Sequence, residues 1–571
     1  MSSNPSFPRR LVGAGVIVSA AGWTIIRLPY GNAAVFGWLA IVVGVLGLIV
    51  APIVVYVRTY RSTVAVLSRA RRRSERYGGT ASRREHRRVA SKASVRKRVG
   101  TLRPDFAELP LHKRLRVPVT QYATKVATEQ RLGAIWSSCE DVTVRLGGPR
   151  MGKSAELACH IVDAPGACLV TSTRPDLALV SMAIREKIGP IHIFDPAGTS
   201  GLTSTIKWSV LAGCRNPRTA QRRARDMIPN GATAEHEKWN SMARRTLAVL
   251  LHAAALSDRT MIDVLGWAAR PRHPKARVRV EEALEQSPNP DVLTAWKEMS
   301  DQFFANNERT QTSITTTLVS YLEWMLDDKA SGAGLAADAE MFSVQEMLAT
   351  NATVYMIGHN SDQVAPLVAA LTGEIAYQAR TIAKARGGRL DPPLTMVLDE
   401  AAIICPVPLD DWSADMGGFN ITLHISAQDP AQLRKVWGDD GASSILSHAG
   451  TLLVFGGIQE MPFLEDSAKK AGQRDVVVET KDENGRVNGT TTRRDYVISP
   501  DQIMKLEKHQ VMVIRAGLSA CLAVAPSVWK RRDVRKANAA SPYKRVLETE
   551  YAKQLHEEPQ PKSQPEEESD A

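Results

Sequence analysis

The stretch Gly147-Gly148-Pro149-Arg150-Met151-Gly152-Lys153-Ser154 completes the G-x-x-x-x-G-K-[ST] pattern of a phosphate-binding loop, and what flanks it decides the fold. Just before it, Asp141-Val142-Thr143-Val144-Arg145-Leu146 alternates as a β-strand does; just after it, Ala155-Glu156-Leu157-Ala158-Cys159-His160-Ile161-Val162 is a helix-forming run. A loop that opens a helix in this way can turn the backbone N–H groups of Gly147 through Ser154 toward a triphosphate, and the positive end of the helix adds to their pull. The chemistry assigns ATP as cofactor, Lys153 to its β and γ phosphates, and the Ser154 hydroxyl to Mg2+.

Such a loop needs a carboxylate partner, because Ser154 alone can neither hold the metal nor orient a water for attack. Leu394-Thr395-Met396-Val397-Leu398-Asp399-Glu400 supplies it: a nearly continuous apolar run reads as a buried parallel strand that delivers its acidic pair to the carboxyl edge of a sheet. Asp399 is assigned to Mg2+ through its water shell and Glu400 to polarising the attacking water. Ile421-Thr422-Leu423-His424-Ile425-Ser426-Ala427-Gln428 reads as a further strand, with Gln428 at its carboxyl end as a nucleotide sensor.

Around these motifs the chain alternates. Ala167 to Thr173 and Ile191 to Asp195 read as strands separated by a helix through Ile184, which is the βαβ rhythm of a doubly wound sheet. Between about Asn216 and Leu326 the rhythm stops and several helical runs replace it, with Trp239, Met242, Trp267, Trp296 and Trp324 placed as core residues of a bundle. Strands resume at Thr353 to Ile357, after a capping box from Ser343 to Glu346. They continue through Thr451 to Phe455, a hairpin of Asp475 to Thr480 with Gly489 to Arg493, Gln510 to Arg515 and Ala520 to Val524.

The net charge of +13 is concentrated rather than spread. Between Arg58 and Arg103 there are 16 Lys and Arg against Glu75 and Glu85, so this segment alone carries about +14 and the remainder is close to neutral. One aromatic, Tyr77, among the arginines from Arg71 to Arg98 gives no stacking platform, and the plain reading is a topology determinant in contact with anionic membrane lipids. Two uncharged apolar runs precede it, Leu11 to Ile26 and Ala33 to Val57, the second about 25 residues long. They read as a two-helix transmembrane hairpin, with Arg9-Arg10 and the arginine run holding both ends in the cytoplasm, where ATP is. The six cysteines show neither zinc nor disulfide spacing and read as reduced thiols.

The expected organisation is a cytoplasmic N-terminus over 1–10, the hairpin over 11–57 and a basic juxtamembrane linker over 58–104. The two halves of a nucleotide-binding domain follow at 105–215 and 331–530 around an all-α insertion at 216–330, and 531–571 is a polar, acidic, disordered tail. This arrangement resembles the type IV secretion coupling proteins of the TraG/TraD class, which drive conjugative DNA transfer. The specific points are Gly147 to Ser154, Thr171-Ser172-Thr173-Arg174-Pro175-Asp176, Phe194-Asp195-Pro196, Leu398-Asp399-Glu400-Ala401-Ala402 and Gln428 before its helix.

The resemblance implies an α/β fold, a RecA-like P-loop NTPase core with the all-α insertion, assembled as a hexameric ring on the cytoplasmic (inner) membrane. It makes Lys153 the phosphate lysine, Ser154 and Asp399 the magnesium pair and Glu400 the catalytic acid. As partners it implies single-stranded DNA bound without regard to sequence, relaxase or relaxosome proteins and secretion-channel components. The arginine finger that such a ring needs is not marked by any motif; Arg434, Arg474 and Arg494 all lie in suitable stretches.

Three other readings stay open: a duplex-DNA translocase of the FtsK/SpoIIIE type, a protein-export ATPase, and a tether that binds nucleotide without turning it over. A C-terminal winged helix would mark the first, polypeptide-stimulated hydrolysis the second, and absent turnover with Glu400 intact the third.

Overall fold

The computed structural model describes residues 79–544, apart from 288–289, 335–341, 360–362 and 482–486, together with Leu547 and scattered positions between 23 and 48. Its contacts divide the chain into residues 1–80 and 81–571. In the first unit residues 37–46 are helical and expose Trp38, Leu39, Val42, Val43 and Leu46. Most of the hairpin expected over 11–57, and the linker as far as residue 78, lie outside the described residues. Among those described, no helix is long and apolar enough to cross a membrane.

The second unit is built on a mixed sheet of eleven strands. In chain order these are β1 (Ala123–Glu129), β2 (Gly133–Ser138), β3 (Thr143–Leu146), β4 (Cys168–Ser172), β5 (Ile191–Phe194), β6 (Thr353–Ile357), β7 (Leu394–Leu398), β8 (Ile421–Ala427) and β9 (Thr451–Phe455). A separate ribbon, β10 (Gln473–Lys481) with β11 (Val487–Tyr496), precedes the last two, β12 (Gln510–Arg515) and β13 (Leu518–Val524). The spatial order is β2-β1-β13-β12-β9-β3-β8-β7-β4-β6-β5.

From β9 to β5 all neighbours are parallel, and every residue of β3, β4, β6, β7, β8 and β9 is buried, which is why β4, β6, β7 and β9 read as mostly apolar runs, whereas β3 and β8 alternate apolar residues with buried polar ones, Arg145 and His424 among them. From β12 to β2 the pairing is antiparallel. The β1–β2 hairpin at that edge was not assigned from the sequence.

Helices cover both faces. Those that matter for the site are α1 (Lys153–Val162), which follows β3, and α2 (Asp176–Arg185), which follows β4. Residues 217–334 contain no strand among the described residues. Their helices include α3 (Pro217–Met227), α4 (Ala234–Leu256) and α5 (Glu308–Ser320). Trp267, Trp296 and Trp324 are buried there, whereas Trp239 and Met242 are only partly so. This region rests on the sheet through α3 against α6 (Ala365–Ala385), in one apolar core continuous with β3, β7 and β8. The helix before it starts on Ser343, whose Oγ accepts from Glu346 N at 3.2 Å.

Two segments depart from the sequence expectation. Residues 81–104 are not an unpacked linker: a capping box at Ser82 starts a helix over Arg83–Val89, and Val95, Val99 and Leu102 bury against Tyr122, Trp136 and Cys139. The arginines hid this, because the apolar positions that make the contact are single residues between charges. Likewise the chain beyond 530 is folded through 544. The helix Arg532–Asn538 buries Val534, and Asn538 Nδ2 donates to Val180 O at 3.0 Å. Residues 548–571 lie outside the described residues.

Candidate nucleotide site

The parallel order places β8 between β3 and β7, so the strand ending in Gln428 separates the one that leads into the phosphate loop from the one that ends in Asp399-Glu400. All three deliver their carboxyl ends to the same rim, where a cleft of about 630 Å3 opens. Arg150 through Ser154, Asp399, Glu400 and Gln428 all border it. Residues far apart in sequence thus meet. Ser154 Oγ donates to Asp399 Oδ2 at 3.1 Å across 245 positions of chain.

Lys153 lies folded over the loop, its Nζ donating to the carbonyls of Gly147 and, at 2.8 Å, Gly148. Burial pulls its ammonium below the usual lysine range, against the opposing pull of Asp399, Glu400 and Asp429. Gly152 opens α1 with φ 99°, a left-handed conformation that costs glycine little.

Gly147 and Gly148 do something other than the sequence reading assigned. Gly147 N donates to Gln428 O at 3.1 Å and Gly148 N to Gly456 O at 2.9 Å, so both N–H groups are engaged with the ends of neighbouring strands. A Cβ on Gly147 would overlap that of Phe455, and one on Gly148 would lie 2.9 Å from Gly457 O. These two glycines let the loop sit close against β8 and β9, while the residues from Arg150 onward border the cleft.

Glu400 is held at φ 50°, ψ 44°, a left-handed backbone that costs a non-glycine residue about 1–3 kcal/mol and is kept where the site needs it. Its Oε2 accepts from Thr173 Oγ1 at 2.8 Å. This aiming contact was missed from the residues alone, because nothing in the local pattern ties β4 to β7. Trp529 and Val528 also border the cleft from the far C-terminal segment, facing Ala158, Leu177 and Val180, and make its apolar side.

The donor set fits Mg2+: a hydroxyl and a carboxylate oxygen already converge, and hard oxygen ligands with room for phosphate oxygens are what that cation takes. Burial first, and then the neighbouring charge of Glu400, push the Asp399 carboxyl up to about 6. With Asp399 as a ligand of the metal, a proton would compete for that position below about pH 6. MgATP affinity should fall by about tenfold per pH unit there beyond the titration of ATP itself, and Asp399→Asn should lose that excess. An excess that persists in the variant would assign the proton elsewhere.

Behind the loop lies a fully buried charge cluster that the sequence reading missed. Arg145 on β3 is ion-paired to Glu156 on α1, with Nη2 to Oε1 at 3.0 Å, and its Nη1 donates to Thr143 O at 3.0 Å. His160 Nε2 meets the same Oε1 of Glu156, and its ring stacks on His424 of β8, ring centroids 4.3 Å apart. Burial would raise the Glu156 carboxyl, but Arg145 and then His160 overcome it and hold it down at about 2. Burial, with His160 and Arg145, drives His424 well below its usual value, leaving a neutral ring whose Nδ1 can accept from Arg145 Nη2 at 3.3 Å.

Of the arginine-finger candidates, Arg434 is paired with Glu460 at 2.8 Å and Arg494 with Asp475 at 3.5 Å, while Arg474 is exposed on β10.

Comparison with known proteins supports the resemblance read from the sequence. Residues 393–508 match a family described as the TraM recognition site of TraD and TraG. That span includes Asp399, Glu400 and Gln428. No curated protein sequence matches the chain. Among solved structures, the fold is similar to the bacterial conjugative coupling protein TrwBdeltaN70 in its unbound form, at 18% identity and TM-score 0.53, over 72% of this chain and 90% of that one. It is similar also to the plasmid coupling protein TrwB in complex with ADP and Mg2+, at 18% identity and TM-score 0.51, over 68% and 85% of the two chains. The complex of TrwB with a non-hydrolysable ATP analogue matches with the same values.

Proposed function

We propose that this chain is a membrane-anchored ATPase that couples a relaxase–DNA substrate to a type IV secretion channel and drives DNA transfer during conjugation. The observation that carries the reading is the contact between Ser154 and Asp399, which closes one nucleotide site out of two distant stretches whose surroundings match coupling proteins. ATP, Mg2+ and hydrolysis enter by the chemistry of that site and by the ligands of the TrwB complexes.

Lys153 would leave its carbonyl partners for the β and γ phosphates, and the N–H groups at the start of α1 would hold the same oxygens. Glu400, aimed by Thr173, is the group to take a proton from the attacking water. Gln428, anchored through its backbone to Gly147 and Gln432, is positioned to register the γ-phosphate. The bound Mg2+ supplies neutralisation of the phosphate oxygens.

The apolar residues exposed on helix 37–46 favour anchorage in the inner membrane, and the basic run after them favours lipid contact on the cytoplasmic side. The family match adds a relaxosome partner, and a homo-hexameric ring is the assembly that the resemblance implies. The test is ATP turnover by the detergent-solubilised full chain with and without single-stranded DNA. Turnover should rise with DNA and lose that rise steeply with salt. Turnover indifferent to DNA, or stimulated instead by unfolded polypeptide, would sink the reading. A fragment beginning at Asp105 is unsuitable, because it removes Val95, Val99 and Leu102 from their buried cluster.

A further inference from the structure

Beside the nucleotide cleft a second concavity runs between the all-helical region and the segments that follow Glu400 and Gln428. It consists of two hollows of about 560 and 770 Å3 that share Pro229, Asn230 and Pro406. Its walls carry Arg225 of α3, Arg244 and Arg245 of α4, and Lys435, against one carboxylate, Asp411. Arg244 is fixed in place: Nη1 donates to Pro229 O at 2.9 Å and Nη2 is paired with Glu237. Arg225 and Arg245 are exposed, and neither side chain makes a hydrogen bond or ion pair among the described residues. The walls also carry the amide and hydroxyl side chains of Gln221, Asn230 and Ser241, while Asn240, Thr317 and Ser320 already donate to protein oxygens.

We propose that this groove is the track for the phosphodiester backbone of the transported DNA, and that its occupancy reaches the nucleotide site through Gln432. The proposal rests on the function proposed above and adds where the substrate lies and how it is sensed. Cations spaced among amide and hydroxyl donors suit a repeating phosphate, which accepts both charged and neutral hydrogen bonds and carries no sequence information.

Hydrogen bonds link the groove to the motor site. Gln432 borders the groove, its Oε1 accepts from Gln428 N at 2.9 Å, and Gln428 O accepts from Gly147 N at the base of the phosphate loop. A second route leaves from the same wall: Ile403 borders the groove and donates from its N–H to Glu400 O at 2.8 Å. A strand in the groove thus contacts, through one side chain or one turn of helix, both residues placed on the γ-phosphate side of the site.

The test uses the detergent-solubilised full chain and a fluorescein-labelled single-stranded oligonucleotide, read by anisotropy across a salt series. Arg225→Ala with Arg245→Ala should weaken binding by about tenfold per arginine and flatten the slope of log affinity against log salt by about 1.4. Arg277→Ala, an exposed arginine of the same region engaged with Glu281 and Asp301, is the matched control and should leave both unchanged. Gln432→Ala should bring the ratio of DNA-stimulated to DNA-free ATP turnover toward one.

The groove is refuted if the double variant matches the wild type in affinity and slope, or if Arg277→Ala weakens binding as much. The sensing route is refuted if Gln432→Ala keeps the wild-type ratio. If the wild-type chain binds no oligonucleotide at all, it is the proposed function that fails.

Discussion

Lys153→Ala and Glu400→Gln should each lower ATP turnover by about 10²–10⁴-fold, and they should part company in what they do to ATP binding. Lys153 stands at the mouth of α1 with its ammonium folded over the loop carbonyls, so its loss should remove attraction that bound and reacting ATP share, and affinity should fall together with rate. Glu400 is held away from the loop by Thr173 Oγ1 at 2.8 Å, and its amide replacement keeps the shape while losing the capacity to take a proton. Glu400→Gln should therefore bind MgATP within about twofold of wild type while failing to turn it over. Isothermal titration with MgATP beside a phosphate-release assay separates the two. A Glu400→Gln variant that turns over normally would move the chemistry elsewhere in the cleft.

Glu156→Gln should destabilise the folded chain by about 3–5 kcal/mol, because it strands the Arg145 guanidinium, fully buried and unable to reach water. The pH dependence has a definite sign. The folded carboxyl is held down at about 2, below its ordinary value of 4.5. Its contribution is therefore complete above about pH 4.5 and is lost as pH falls toward about 2. Urea midpoints of the wild type should decline through that window, and the Gln variant should lack that part of the decline. Pairing Arg145→Met with Glu156→Leu should recover most of the lost stability, since two apolar side chains leave no charge uncompensated. A single variant no less stable than the double would show that the ion pair does not act as a unit.

What was legible in the sequence was whatever one short window could carry. The phosphate loop is such a window, since its glycines, lysine and serine stand within eight positions. The buried strands β4, β6, β7 and β9 are others, because cover on both faces favours apolar residues along most of their length.

The features that escaped are settled by partners distant in sequence. Thr173 matters only because β4 lies beside β7, and Gly147 and Gly148 are required by the approach of Phe455 and Gly457. Arg145, Glu156, His160 and His424 read as ordinary polar residues on two strands and a helix; only the pairing of β3 with β8, and α1 packed behind them, makes them one buried cluster. The arginine-rich stretch shows the converse failure, in which a strong compositional signal concealed a few apolar residues that fold it.

Residues 98–103 and Glu140 are fastened to the sheet at the amino ends of its parallel strands. Arg103 pairs with Asp391 ahead of β7, Asn420 Nδ2 ahead of β8 donates to Leu102 O, and Arg98 and Arg389 both meet Glu140 ahead of β3. The nucleotide cleft is at the opposite rim. Tension passed through Arg98, Arg103 and Glu140 toward a load gripped near the cleft would therefore run lengthwise down β3, β8 and β7. Pulled that way, the rungs of the ladder share the strain simultaneously instead of parting in succession, which is the stiffer direction in which a sheet can be loaded.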